Sequence, residues 1–229
     1  MNKIFIACDT TNVRKVREII KKTKSNKIKI GYKFGLEFFY SKYGRRFISQ
    51  LSKDKMIWLD LKLKDIGNTV SSSIYALRDL KNLSYLTIHC SGGLEMMKKA
   101  KIAARKTNKN LKLIGVTILT SIDAKALKKI GYNKPLEKIV KQQVSLAKSA
   151  SLNGIVCSGF EVKKIKKICK KMEIITPGIR LIGEKKHDQK RVMTPRQAFE
   201  EGATAIVIGR SITKGNIKKN FTKLIQSLN

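Results

Sequence analysis

At 229 residues the chain is long enough to bury one large core, and its composition places it among ordinary globular proteins. No stretch approaches the roughly 18 uninterrupted apolar residues of a membrane span. The opening run Met1-Asn2-Lys3-Ile4-Phe5-Ile6-Ala7-Cys8 is too short, and lacks the cleavage pattern, for a signal peptide, so a cytoplasmic protein is expected. The formal net charge of +34 would attract nucleic acid or anionic surfaces. Yet the lysines are spread along the chain, and no aromatic residues are interleaved with them as a base-stacking platform requires. A solvated lysine-rich surface is expected, with no specific nucleic-acid partner and no membrane partner.

In chain order, short β-branched runs recur at 4–8, 28–31, 56–62, 84–89, 111–117, 154–158, 173–177 and 205–209. Helical patterns fill most of the gaps between them. Val13, Val16, Ile19 and Ile20 form one stripe; Val70, Ile74 and Leu77 form another; Ile212, Ile217, Phe221, Leu224 and Leu228 form a longer one at the end. In the densest basic run, Val162, Ile165, Ile168 and Cys169 share one helical face and leave Lys163, Lys164, Lys166 and Lys167 to solvent. Eight strands alternating with helices imply a parallel sheet closed into a single (β/α)8 TIM barrel over residues 1–229. An open doubly wound sheet usually carries a glycine-rich turn after its first strand, whereas Asp9-Thr10-Thr11-Asn12 contains no glycine.

Polar residues interrupt at or just beyond the strand ends: Asp9, Lys29, Asp60 with Lys62, His89, Thr117 and Thr120, Ser158, Arg180, and Gly209 with Arg210. Most fall at carboxyl ends, where barrel active sites are built. The densest cluster is Asp60-Leu61-Lys62-Leu63-Lys64-Asp65-Ile66-Gly67-Asn68-Thr69. Strand alternation puts Asp60, Lys62 and Lys64 on one face, and inward charges at a barrel rim are costly unless paired. The segment Ala205-Ile206-Val207-Ile208-Gly209-Arg210-Ser211 ends a strand in glycine, follows it with arginine and begins a helix, which suits a phosphate group. The stretch 178–194 is long, polar and unpatterned, as active-site lids commonly are. The four cysteines (Cys8, Cys90, Cys157, Cys169) and two histidines (His89, His187) show no metal-ligand spacing. No metal and no cofactor are expected. Trp58 reads as barrel-wall packing and His89 as a pocket wall or a satisfied core residue.

The decapeptide resembles the signature of the orotidine 5'-phosphate decarboxylase family, Asp-x-Lys-x-x-Asp-Ile-Pro-x-Thr, with Gly67 where many members carry proline. Asp9, Ile28-Lys29-Ile30-Gly31, Gly115-Val116-Thr117-Ile118-Leu119-Thr120-Ser121, Pro177-Gly178-Ile179-Arg180, Asp188-Gln189-Lys190-Arg191-Val192 and Ile208-Gly209-Arg210 extend the similarity over nearly the whole chain. The resemblance implies cofactor-free decarboxylation of orotidine 5'-monophosphate to UMP. It also implies a charge network of Lys29, Asp60, Lys62 and Asp65, with Lys62 as the proton donor. Asp9 and Lys29 would hold ribose hydroxyls, Thr120 and Ser121 would line the nucleoside site, and Gln189, Gly209 and Arg210 would grip the phosphate. Arg180 would help hold the closing loop, while Asp65 and Thr69 would reach across the interface of a homodimer. Two rivals remain: a magnesium-dependent sugar-phosphate enzyme of the same superfamily, such as 3-keto-gulonate 6-phosphate decarboxylase or hexulose-phosphate synthase, and a non-catalytic RNA-binding barrel motivated by charge alone.

Overall fold

The computed structural model describes residues 2–181 and 192–228. Eight parallel strands close into a barrel in sequence order, β1 to β8. They are β1 (Lys3–Ala7), β2 (Lys29–Gly35), β3 (Met56–Leu63), β4 (Leu83–His89), β5 (Lys112–Val116), β6 (Gly154–Val156), β7 (Glu173–Thr176) and β8 (Ala205–Ile208). The expected (β/α)8 architecture is therefore present, with strand boundaries close to those read from the sequence except in β2. The sequence places that strand at 28–31, but it runs on through Tyr32-Lys33-Phe34-Gly35. The glycine taken as a terminus lies inside the strand, where a side chain at Gly31 would collide with the Phe5 ring.

Alternation sorts the strand residues between two cores. Ile4, Ile6, Tyr32, Phe34, Ile57 and Leu59 face outward and pack under the helices. Phe5, Ala7, Trp58, Tyr85, Ile114, Ile175, Ala205 and Val207 form the separate cluster inside the barrel. Phe5 is the hub of that inner layer, edge-on to Trp58 at 4.8 Å and to Tyr85 at 5.0 Å between ring centroids. Trp58 is thus barrel packing, as its sequence position suggests.

The helices follow from caps and stripes. Asn12 opens the helix Val13–Lys22 by accepting from the Lys15 N–H at 3.1 Å, and Val16 and Ile19 are buried. The lysine-rich helix Val162–Cys169 buries Val162, Ile165 and Cys169 and leaves its lysines exposed. The terminal stripe, expected as one helix, is broken into Arg210–Thr213 and Ile217–Gln226. Gly215 between them adopts φ +67°, and Asn216 caps the second helix. No helix among the described residues is long and apolar enough to cross a membrane, and all four cysteines are buried free thiols.

The amino end of the barrel is plugged by charge. Glu173 at the start of β7 pairs with Lys3 at 2.8 Å and Lys112 at 2.5 Å and accepts from the Tyr85 hydroxyl at 3.0 Å. Burial alone would raise its pKa, but the two lysines outweigh that and hold it below the ordinary carboxylate value. A group shifted downward stabilises the fold above its unfolded pKa and loses that contribution as pH falls through the folded one. Glu173→Gln should therefore lower the unfolding free energy by about 1–3 kcal/mol at neutral pH. In chemical denaturation the gap from wild type should narrow as pH drops below 4.5; a pH-independent gap would mean that the carboxylate charge contributes nothing.

Candidate active site

Three neighbouring strands deliver charge to the carboxyl end of the barrel. Lys33 pairs in register with Ala7 of β1 and with Trp58 of β3, which places it one step below Asp9 and Asp60. Its ammonium lies 3.3 Å from Asp9 Oδ1 and 3.2 Å from Asp60 Oδ2. The same Asp60 oxygen receives Lys62 Nζ at 2.8 Å. The result is a continuous row, Asp9–Lys33–Asp60–Lys62, in which one buried carboxylate is shared by two ammonium groups.

The second oxygen of Asp60 is held from β4. Thr87, fully buried, donates its hydroxyl to Asp60 Oδ1 at 2.9 Å and accepts the Lys62 backbone N–H at 3.0 Å. Burial would raise the Asp60 pKa. Lys33 and Lys62, helped by Thr87, outweigh it and hold the carboxyl below its ordinary value. Burial would likewise lower the Lys33 pKa, but Asp60 and Asp9 outweigh it and hold the ammonium raised. Both groups are therefore charged across the neutral range.

Simple alternation does not place Lys62. The β3–β4 register passes from Leu59↔Leu86 to Leu63↔Ile88, so β3 carries two extra residues there. Within this bulge Lys62 adopts φ +50°, a left-handed conformation that costs a non-glycine residue about 1–3 kcal/mol. Lys64, expected on the same face, lies exposed beyond the strand end.

These groups line a cavity of about 640 Å³, a volume typical of small-molecule sites. Ala7, Trp58, Val116, Ile118, Val156 and Val207 give it an apolar wall, and Pro177 and Gly178 lie at its edge. Of the residues singled out in the sequence, Asp9, Asp60, Lys62, Thr120, Ser121, Arg180, Gly209 and Arg210 all line it. Arg180 is buried, and its N–H bonds the Met193 carbonyl at 3.0 Å, which ties together the two ends of the 178–194 stretch. Gln189, His187 and the rest of 182–191 lie outside the described residues.

Lys29 requires correction. It is exposed at the amino end of β2, paired in register with Lys3, and takes no part in the cavity. Lys33, four residues later on the same face, stands where Lys29 was expected. The signal was available: in Lys29-Ile30-Gly31-Tyr32-Lys33-Phe34-Gly35 the alternation continues past Gly31. Asp65 and Thr69 are exposed and are not among the cavity's lining residues; Asp65 accepts from the Ile66 N–H at 2.6 Å. His89 is half-buried, its pKa lowered by burial and by Lys62 and Lys64, and it does not line the cavity. Among the described residues no group of three or more His, Cys, Asp or Glu side chains is placed to hold a metal ion.

Residues 2–221 match the model of the orotidine 5'-phosphate decarboxylase / HUMPS family. An orotidine 5'-phosphate decarboxylase of Erythrobacter litoralis is 39% identical over 227 residues, covering 99% of this chain and 98% of that protein. One from the Wolbachia of Brugia malayi is 40% identical over 228 residues, covering 98% of each. The crystal structure of orotidine 5'-phosphate decarboxylase from Lactobacillus acidophilus superposes with a TM-score of 0.85 at 31% identity, covering all of both chains.

The shared carboxylate makes a prediction independent of any activity. In Asp60→Asn, Lys33 loses the strongest influence opposing its burial, so its ammonium should titrate at lower pH than in wild type. Nuclear magnetic resonance of isotope-labelled lysine side chains reads this directly. An unchanged Lys33 titration would show that Asp60 does not hold its charge.

Proposed function

The chain belongs to the orotidine 5'-phosphate decarboxylase / HUMPS family, and from that premise we propose that it is the carboxy-lyase converting orotidine 5'-monophosphate to UMP. The observation that carries this reading is the Asp9–Lys33–Asp60–Lys62 row beside an apolar wall in one cavity, with Gly209 and Arg210 on the rim.

Loss of carbon dioxide from C6 of the pyrimidine leaves the electron pair in the ring plane, where the π system cannot spread it. Stabilisation of roughly 20 kcal/mol, near the upper end of the enzymatic range, is needed. Preorganised charge in a water-poor cavity is the means available to these side chains. In the proposed step the C6–carboxylate bond breaks, carbon dioxide departs, and the ammonium of Lys62 stabilises the developing carbanion and gives it a proton. Asp60 keeps Lys62 aimed. Lys33, in the role first assigned to Lys29, holds Asp60 from the other side and with Asp9 faces the ribose hydroxyls. Thr120 and Ser121 would meet the base, and Arg210 and Gly209, with Gln189, the phosphate. The exposure of Asp65 and Thr69 away from the cavity supports their service to the neighbouring site of a homodimer.

Adding orotidine 5'-monophosphate and following its absorbance should show turnover that survives dialysis against a chelator. A loss restored by magnesium would move the chain to the sugar-phosphate branch. Lys62→Ala should reduce turnover by about 10⁴-fold or more while UMP still binds, and Arg210→Ala should act mainly on affinity. Lys33→Ala should be severely impaired, while Lys29→Ala stays within roughly twofold of wild type, as exposed substitutions do; equal loss in both would overturn the assignment of Lys33.

The shared site has its own test. Lys62→Ala and Asp65→Ala chains should each be nearly inactive alone. In a mixed dimer the Asp65→Ala subunit keeps its own Lys62 and borrows its partner's intact carboxylate, while the other site lacks both groups. Random reassortment makes half the dimers mixed, each with one good site of two, so about a quarter of wild-type activity should return. Mixed dimers confirmed by mass but without activity would mean that Asp65 acts within its own chain.

A further inference from the structure

We propose that Thr87 is a positioning residue for the decarboxylation: its single hydroxyl fixes both the strained Lys62 backbone and the Asp60 carboxylate in their working geometry. This assignment rests on the decarboxylase reading above.

The argument begins with the bulge. Between Leu59 and Leu63 the ladder to β4 is interrupted, so Lys62 lacks the regular pairing that holds a strand residue in place. Its φ of +50° is one that an unsupported lysine leaves readily, because the β region is lower in energy. The Thr87 hydroxyl substitutes for the missing ladder bond by accepting the Lys62 N–H at 3.0 Å. Having accepted there, it has one proton to give, and gives it to Asp60 Oδ1 at 2.9 Å. Asp60 Oδ2 is then left for the two ammonium groups, Lys62 at 2.8 Å and Lys33 at 3.2 Å.

One atom of β4 therefore sets the directions of two β3 side chains. Thr87 is fully buried and absent from the cavity lining, so it touches no substrate. It is paired in register with Ile114 in the inner layer, where a methyl group is accommodated and a polar group is costly unless satisfied. An isosteric valine would fill the same space and leave the buried Asp60 Oδ1 and the part-buried Lys62 N–H without their partner. A catalytic ammonium displaced by even about 1 Å loses much of its effect on rate, whereas substrate binding elsewhere in the cavity is untouched.

Thr87→Val should lower kcat by about 10- to 100-fold, the range expected for losing a hydrogen bond to a charged group. KM and the affinity for UMP should stay within about threefold. Thr87→Ser and Thr87→Ala form a second pair that differ only in the hydroxyl. If the hydroxyl is what matters, Ser keeps kcat within roughly threefold of wild type while Ala falls with Val, at closely matched melting temperatures. Retention of kcat in Val, or equal loss in Ser and Ala, would overturn the assignment and leave Thr87 as packing. Wild-type turnover is the control that separates the two readings. A wild-type protein that leaves orotidine 5'-monophosphate unchanged sinks the decarboxylase reading and Thr87's role with it, whereas an active wild type with an equally active Val variant sinks only the latter.

Discussion

A buried carboxylate shared between two ammonium groups governs much of the rest of this molecule. Burial favours the neutral form of Asp60. It favours the neutral form of Lys33 too. Each makes the other tenable, and the exposed Asp9 side chain and the half-exposed Lys62 extend the row to the cavity. Two ammonium and two carboxylate groups leave no net charge to solvate, which is why four ionised side chains can line one cavity. The geometry follows from parallel pairing, which brings the same ends of neighbouring strands together. β1, β2 and β3 lie side by side, and Lys33, one two-residue step lower in register than Asp9 and Asp60, reaches its ammonium up between their carboxylates.

The barrel interior is graded along its axis to support that row. Glu173 with Lys3, Lys112 and Tyr85 closes the amino end, and Phe5, Trp58 and Tyr85 fill the layer next to it. The cavity lies toward the carboxyl end and is walled by Val116, Ile118, Val156 and Val207. Charges in water are screened, and the surrounding dipoles must reorganise at a free-energy cost during a reaction, while charges held beside an apolar wall act at a lower effective dielectric and are already oriented. The wall and the charge row thus belong to one device. The Lys62 backbone conformation fits the same logic, as strain held where the surroundings over-determine it.

Much of this was legible in the sequence because strand alternation is a strong constraint. Eight β-branched runs imply the barrel, and of the polar strand-end positions Asp9, Asp60, Lys62, Thr120, Arg180, Gly209 and Arg210 line the cavity, whereas Lys29, His89, Thr117 and Ser158 do not. Lys29 was misplaced for a local reason: Gly31 reads as a strand end, although it is there to make room for Phe5, and β2 continues to Lys33. Thr87 gave no signal, since a threonine inside Leu83-Ser84-Tyr85-Leu86-Thr87-Ile88-His89 is ordinary strand composition. Its importance depends on a register shift between two strands, which periodicity within one strand cannot reveal. The break at Gly215 does leave a trace, because Ile212 and Ile217 on either side of it are five residues apart, wider than the three- or four-residue step of one helical face.

The +34 charge and the neutral interior network occupy separate electrostatic regimes. Surface lysines such as those of the helix Val162–Cys169 are solvated, and at physiological salt their influence decays over about 8 Å. A broad positive field of this kind raises the encounter rate of polyanions in general. The Lys33–Asp60–Lys62 contacts are between 2.8 and 3.2 Å and largely out of water, so salt that weakens the surface field leaves them nearly intact. A lysine-rich exterior can therefore drift in composition without retuning the chemistry, provided the few inward positions that balance one another are kept.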